Sequence, residues 1–84
     1  MAQQFSNTEF KTRTSVVLFG KNWATPLVLY SEDSQKMYQE LKELLNSPSA
    51  VPRMYEYDTT GPIKKVSFMS NQIAAVALQE ELYK

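Results

Sequence analysis

One helical segment constrains the fold of this chain more than any other feature. Residues 31–46 repeat apolar side chains at three- and four-residue spacing, whereas the segments on both sides have the composition of strands. The apolar side chains of the segment are Met37, Tyr38, Leu41, Leu44 and Leu45. An apolar stripe of this kind must be covered by another element. The sequence therefore predicts an α+β fold, with one helix packed on one face of a small antiparallel sheet.

The predicted ends of this helix carry residues typical of capping positions. Ser31 is the predicted N-cap, and Asp33 adds negative charge near the positive end of the helix dipole. Asn46 can adopt the left-handed conformation that ends many helices, and Pro48 cannot continue one. We therefore expect the helix to end at Asn46.

Four segments rich in β-branched and aromatic residues surround the helix, which predicts the order ββαββ. They are residues 14–19, 26–30, 53–58 and 63–69. A further apolar segment, residues 73–78, is ambiguous because its alanines favour a helix whereas Ile73 and Val76 favour a strand. We predict a fifth strand there, with a short terminal helix from about Ala74 as the alternative, and a polar tail over residues 79–84.

The chain of 84 residues predicts one domain preceded by an arm. Residues 1–13 are polar apart from Phe5 and Phe10, so we expect a flexible N-terminal arm there and a single α+β domain over residues 14–84.

The absence of cysteine and histidine narrows the chemistry that the chain can perform. Without thiols there are no disulfides, thiolate nucleophiles or cysteine-ligated metals, and without imidazole the commonest metal ligand and proton-transfer group is missing. No serine, threonine or lysine has a recognisable activating partner in the sequence. We therefore predict that the protein is not an enzyme and has no catalytic residue, cofactor or metal site.

The charge balance does not indicate a polyelectrolyte partner. Nine basic and nine acidic residues give a formal net charge of zero, whereas proteins that bind nucleic acid through phosphates usually carry a basic excess. The start of the chain lacks the pattern of a secretory signal, and no apolar run has the length of a membrane span. These features predict a cytoplasmic protein without a membrane span.

Five residues are candidates for contact with a partner, and each has a competing structural interpretation. They are Trp23, Arg53, Tyr55, Tyr57 and Lys65. Trp23 lies near the predicted tip of the first hairpin, where it either packs at the core edge or anchors an interface. Tyr55 and Tyr57 share one strand face and either join the core beneath the helix or stack on bases. Lys65 is expected to face outward and to meet Glu56 and Asp58 across the second hairpin.

Several short segments resemble those of a known family. Residues 25–28 are similar to a proline-containing second strand, residues 37–41 to a helix, and residues 64–69 and 73–76 to its last two strands. The chain resembles, over about residues 14–81, a small uncharacterised ββαββ protein family of cyanobacteria and plastids. The resemblance implies the fold and a cyanobacterial setting, and no chemistry.

One helix covers only one face of a sheet, so the other face or an edge strand is available for association. Depending on the register, the outward residues of the first hairpin are Val16 and Leu18 or Leu27 and Leu29, which would make that face apolar. We therefore predict a non-catalytic protein-interaction or assembly module that binds a protein partner or forms a homodimer. The alternative is a small RNA-binding regulator whose aromatic sheet face joins Tyr30 and Phe68 to the two tyrosines above.

Overall fold

The protein has an α+β fold with one helix and two antiparallel sheets, as seen in a computed structural model that describes residues 11–47 and 51–83. The elements are β1 (Lys11–Gly20), β2 (Leu27–Leu29), α1 (Ser34–Asn46), β3 (Met54–Asp58), β4 (Lys65–Met69), a short 3-10 turn (Ser70–Gln72) and β5 (Ile73–Tyr83). One sheet has the strand order β2-β1-β5, and the other is the hairpin β3-β4. The predicted class and the fifth strand are confirmed, although the strands form two sheets and not one.

The pairing of β1 divides the larger sheet into two faces. Val16 lies opposite Leu29 and Leu78, and Val17 lies opposite Val28 and Ala77. Because side chains alternate along a strand, the helix face carries Val16, Leu18, Leu27, Leu29, Val76 and Leu78. The opposite face, which we call the open face, carries Arg13, Ser15, Val17, Phe19, Val28, Tyr30, Ala75, Ala77, Gln79 and Glu81.

The hydrophobic core lies between the helix face, α1 and the β3-β4 hairpin. The helix contributes Met37 and Leu41, and the hairpin contributes Val66 and Phe68, all of which are buried. Tyr55 and Tyr57 are half-buried against this core. The sequence prediction that Val66 and Phe68 point inward is confirmed. The four apolar residues Val16, Leu18, Leu27 and Leu29 all lie on the helix face, so neither of the two predicted outward pairs is outward.

The last strand is longer than the sequence predicted. β5 continues to Tyr83, and its pairing with β1 runs from Gly20↔Ile73 to Lys11↔Tyr83. The prediction of a polar tail was therefore wrong for residues 79–83, because pairing with β1 satisfies the backbone of these polar residues. The same pairing makes residues 11–13 part of β1, whereas the rest of the predicted arm, with Phe5 and Phe10, lies outside the described residues.

The helix begins two residues later than the predicted N-cap implies. Its N-cap is Asp33, whose carboxylate accepts a hydrogen bond from the Lys36 backbone N–H at 3.0 Å. Ser31 Oγ instead accepts a hydrogen bond from the Asp33 backbone N–H at 3.2 Å, before the helix begins. The helix ends at Asn46 as predicted. Asn46 does not adopt the left-handed conformation, because no described residue other than glycine has a positive φ. The last turn is closed by the Ser47 N–H donating to the Glu43 carbonyl.

Candidate functional site

A polar cluster occupies one end of the open face and is centred on the Glu81 carboxylate. This carboxylate accepts hydrogen bonds from Ser15 Oγ at 2.7 Å, Tyr30 Oη at 3.1 Å and Gln79 Nε2 at 3.2 Å. Arg13 Nη2 lies 3.7 Å from the same carboxylate, and its guanidinium carbon lies 4.1 Å from the centre of the Tyr30 ring. The cluster therefore joins all three strands of the larger sheet.

The chemistry of this cluster favours a structural role over catalysis. Ser15 is fully buried, and its hydroxyl is shared between Glu81 and Gln79. The hydrogen bond from Ser15, with help from Tyr30, Arg13 and Gln79, lowers the pKa of Glu81 below its ordinary value. An ionised carboxylate with this many donors is a weak base, and a buried hydroxyl cannot reach a substrate. A cleft of about 250 Å³ beside Arg13 and Tyr30 is bordered by Glu32, Thr60 and Gly61.

The remainder of the open face is apolar. Val17, Val28 and Ala77 form its middle, and Phe19 and Ala75 lie at the end away from the polar cluster. Phe19 is 39% exposed. Val17 is buried, Val28 and Ala77 are half-buried, and only Phe19 and Ala75 of these five residues are exposed. Phe19 and Ala75 lie opposite each other on β1 and β5, so they form a small exposed apolar patch at this end of the face.

The outer edge of β5 is the second exposed feature of the larger sheet. β5 is 11 residues long and lies at the end of the strand order, so β1 is its only strand partner among the described residues. The opposite edge is formed by β2, which is three residues long and follows Pro26. After β2, the Tyr30 carbonyl accepts a hydrogen bond from the Thr60 N–H at 2.8 Å. The two edges therefore differ, because β2 is short and partly covered and β5 is long.

No family model, curated protein or solved structure matches this chain. The resemblance to cyanobacterial and plastid proteins therefore stays a prediction, and any interpretation of function depends on the geometry of the chain itself. Among residues 11–47 and 51–83, no helix combines the length and the apolar character needed to cross a bilayer.

The structure separates the five candidate residues that the sequence singled out. Trp23 is half-buried and packs against the core, and its indole covers Gly20 so closely that a Cβ there would collide with the ring. Arg53 is exposed at the start of the hairpin, where its backbone N–H donates to Ser70 Oγ at 2.9 Å. Lys65 lies on the outward side, 3.3 Å from Asp58 and 3.6 Å from Glu56. The predicted cross-strand charge pairing is confirmed.

The two tyrosines lie on the inner side of the β3-β4 hairpin. Both rings stack with Phe68, with centroid distances of 6.2 Å for Tyr55 and 6.1 Å for Tyr57. Burial, followed by the neighbouring Glu40 carboxylate, raises the pKa of Tyr57 to about 12. Between these tyrosines and α1 lies an open groove of about 500 Å³ that Glu40 and Glu43 border. Tyr30 lies on the open face of the other sheet, so the four predicted aromatic residues do not form one surface.

Sequence reasoning missed the polar cluster around Glu81. Ser15 and Glu81 are 66 positions apart, and Glu81 lay in the segment predicted to be a polar tail. The sequence did contain a signal for a strand in this segment. Gln79 and Glu81 fall on one face of an extended chain, and Leu78 and Leu82 fall on the other.

Proposed function

We propose that this protein is a non-catalytic interaction or assembly module, and that the open face of the three-stranded sheet is its binding surface. The observation that supports this proposal is that the main core cluster packs on the helix face, whereas Phe19 and Ala75 lie exposed and adjacent on the open face. An apolar centre beside a polar, hydrogen-bonded margin resembles the core and rim of a protein interface.

Two further observations favour binding over catalysis. The Ser15 hydroxyl is buried and hydrogen-bonded to Glu81, so it is not a nucleophile. Among the described residues, every buried side-chain polar atom has a hydrogen-bond partner. An active site usually contains polar groups that are left available for substrate.

The RNA-binding alternative is less well supported. The groove beside Tyr55 and Tyr57 is bordered by Glu40 and Glu43, which would repel phosphate groups. Lys65 lies on the opposite side of the hairpin and is paired with Asp58, so it cannot supply the positive charge that this groove lacks.

Affinity capture from a native extract tests the proposal if matched variants are compared. Phe19→Ser removes the exposed ring of the open face, and Met54→Ser removes an exposed apolar side chain, 66% accessible, from the other sheet. We expect a stoichiometric protein partner that is lost with Phe19→Ser and retained with Met54→Ser, with both variants folded by circular dichroism. Enrichment of RNA without such a protein would instead support the alternative, and equal capture by both variants would exclude the open face.

A further inference from the structure

The outer edge of β5 has few of the features that usually keep edge strands from pairing. Protected edges are short, or carry proline, lysine or a bulge. β5 is 11 residues long, contains no proline or lysine, and its only charged residues are Glu80 and Glu81. Its irregularity in pairing lies at its very start, where the register shifts between Phe19 and Gly20 of β1. Among residues 11–47 and 51–83, no strand pairs with the outer edge of the remaining part of β5.

The helix face is apolar where it reaches this edge. Val76 and Leu78 are half-buried beneath α1, and Leu82 is 71% exposed. One flank of α1, with Glu40 and Leu44, faces the hairpin tyrosines.

The other flank of α1 lies on the side of β5. Because successive helical residues are rotated by about 100°, Tyr38, Lys42 and Leu45 lie on the flank away from the hairpin. The hairpin is joined to the β2 side of the sheet through the Tyr30–Thr60 bridge, so this second flank is on the β5 side. Tyr38 and Leu45 are both half-buried in the single chain. The edge therefore offers backbone groups, flanked by partly exposed apolar side chains.

We propose, on the basis of the interaction function above, that the partner at this edge is a second copy of the chain. The two β5 strands pair antiparallel about a two-fold axis perpendicular to the sheet, which joins two three-stranded sheets into one of six strands. This symmetry places both helices on the same side. Because α1 contacts both β1 and β5, and strands are about 4.8 Å apart, the two helices would lie about 10 Å apart, within the range of helix packing.

We propose the register that places apolar residues opposite each other on the helix face and keeps the carboxylates of the two strands apart. With Ala77 on the two-fold axis, Val76 lies opposite Leu78 of the second copy on the helix face. Glu80 and Glu81 then lie opposite Ala74 and Ile73, so no two carboxylates of the strands meet.

The register also brings opposite charges together. Ser34 Oγ donates to the Thr14 carbonyl, and Thr14 pairs with Glu80, so α1 begins at the Glu80 end of β5. Its later residues share the core with Ile73 and Val76. Lys42 is therefore level with the start of β5, where Glu80 of the second copy lies.

Cysteine cross-linking of the full chain tests the pairing, because the natural sequence contains no cysteine. Ala77→Cys places the two thiols opposite each other across the two-fold axis, at a spacing that a disulfide can bridge. Ala75→Cys is the matched control, since it lies on the same strand and face but would be opposite Gln79. We expect Ala77→Cys to form a covalent dimer upon mild oxidation and Ala75→Cys to remain largely monomeric. Equal cross-linking of both variants, or none of either, would overturn the proposal.

Sedimentation equilibrium gives an independent readout. Ala74 is exposed and would face Glu80 of the second copy, so Ala74→Glu should raise the dimer Kd by about tenfold and Ala74→Lys should lower it. Met54→Glu, on the other sheet, should leave it unchanged. A strict monomer, or a dimer indifferent to the charge at position 74, would overturn the pairing. The proposed interaction function would still stand if the protein proved monomeric but lost the partner captured from extract when Phe19 was replaced by serine.

Discussion

The Glu81 side chain connects the three strands of the larger sheet. Its carboxylate lies on β5, but its donors come from β1 through Ser15 and Arg13 and from the end of β2 through Tyr30. Three strands therefore meet at one carboxylate, and hydrogen bonds to a charged group are stronger than those between neutral groups. The open face is thereby held by polar contacts at one end, while its other end is apolar.

The pH dependence of stability should depend on Glu81. Its pKa is lowered in the folded chain, mainly by the hydrogen bond from Ser15. The unfolded chain therefore takes up this proton at higher pH than the folded chain, so the stabilisation is present above the ordinary glutamate pKa and is lost as the pH falls through the lowered value. We expect Glu81→Gln to be less stable than the natural chain near neutral pH and to lose less stability on acidification. Urea unfolding over a pH series measures this, and parallel curves for both chains would contradict it.

Gly61, the glycine of the second hairpin, should be hard to replace. Its φ is +83°, and a Cβ built there would lie 2.8 Å from Cδ2 of Tyr30. We expect Gly61→Ala to lower the free energy of unfolding by about 1–2 kcal/mol, from left-handed strain and from displacement of the Tyr30 ring. The neighbouring Thr60→Ala keeps the backbone bond to Tyr30 and should cost much less in the same denaturation experiment.

At the level of elements, local sequence patterns predicted the helix and the inward face of β4. They did not predict the length of β5, which depends on pairing with a strand distant in sequence. The spacing of Met37 and Leu41 predicted the helix, and the alternation of Val66 and Phe68 predicted the inward face of β4. The length of β5 could not be predicted, because residues 79–83 are polar and become a strand only through pairing with β1. The polar cluster was missed for the same reason.

The helix start offers a direct comparison between the predicted and the observed cap. Asp33 accepts the Lys36 N–H, whereas Ser31 accepts the Asp33 N–H before the helix begins. We expect Asp33→Ala to destabilise the fold by about 1 kcal/mol, as for other lost N-caps, and Ser31→Ala to have a smaller effect. Thermal unfolding followed by circular dichroism measures both, and a larger loss for Ser31→Ala would favour the cap that the sequence predicted.

At the scale of the whole molecule, the larger sheet depends on pairing between the first and last strands of the chain. Residues 79–83 pair with residues 11–15 and supply Glu81 to the polar cluster. They therefore belong to the folding unit, although their composition is that of a solvated tail.

Truncation after Leu78 distinguishes these two views of the last residues. A polar tail could be removed without consequence, whereas loss of five paired residues should reduce stability by several kcal/mol, since each lost backbone hydrogen bond contributes roughly 1 kcal/mol. We expect the shortened chain to unfold at clearly lower urea concentration, as followed by the fluorescence of Trp23. An unchanged midpoint would show that β5 beyond Leu78 contributes nothing to the fold.

The pairing of Val16 with Leu78, 62 positions later, also has a consequence during synthesis of the chain on the ribosome. The first hairpin and the helix emerge early, but the buried central strand has one unpaired side until β5 leaves the exit tunnel. During that interval Val16, Val17 and Leu18 are accessible to other nascent chains. Folding that depends on contacts so distant in sequence is slow. The newly made protein should therefore bind chaperones more than other chains of 84 residues do.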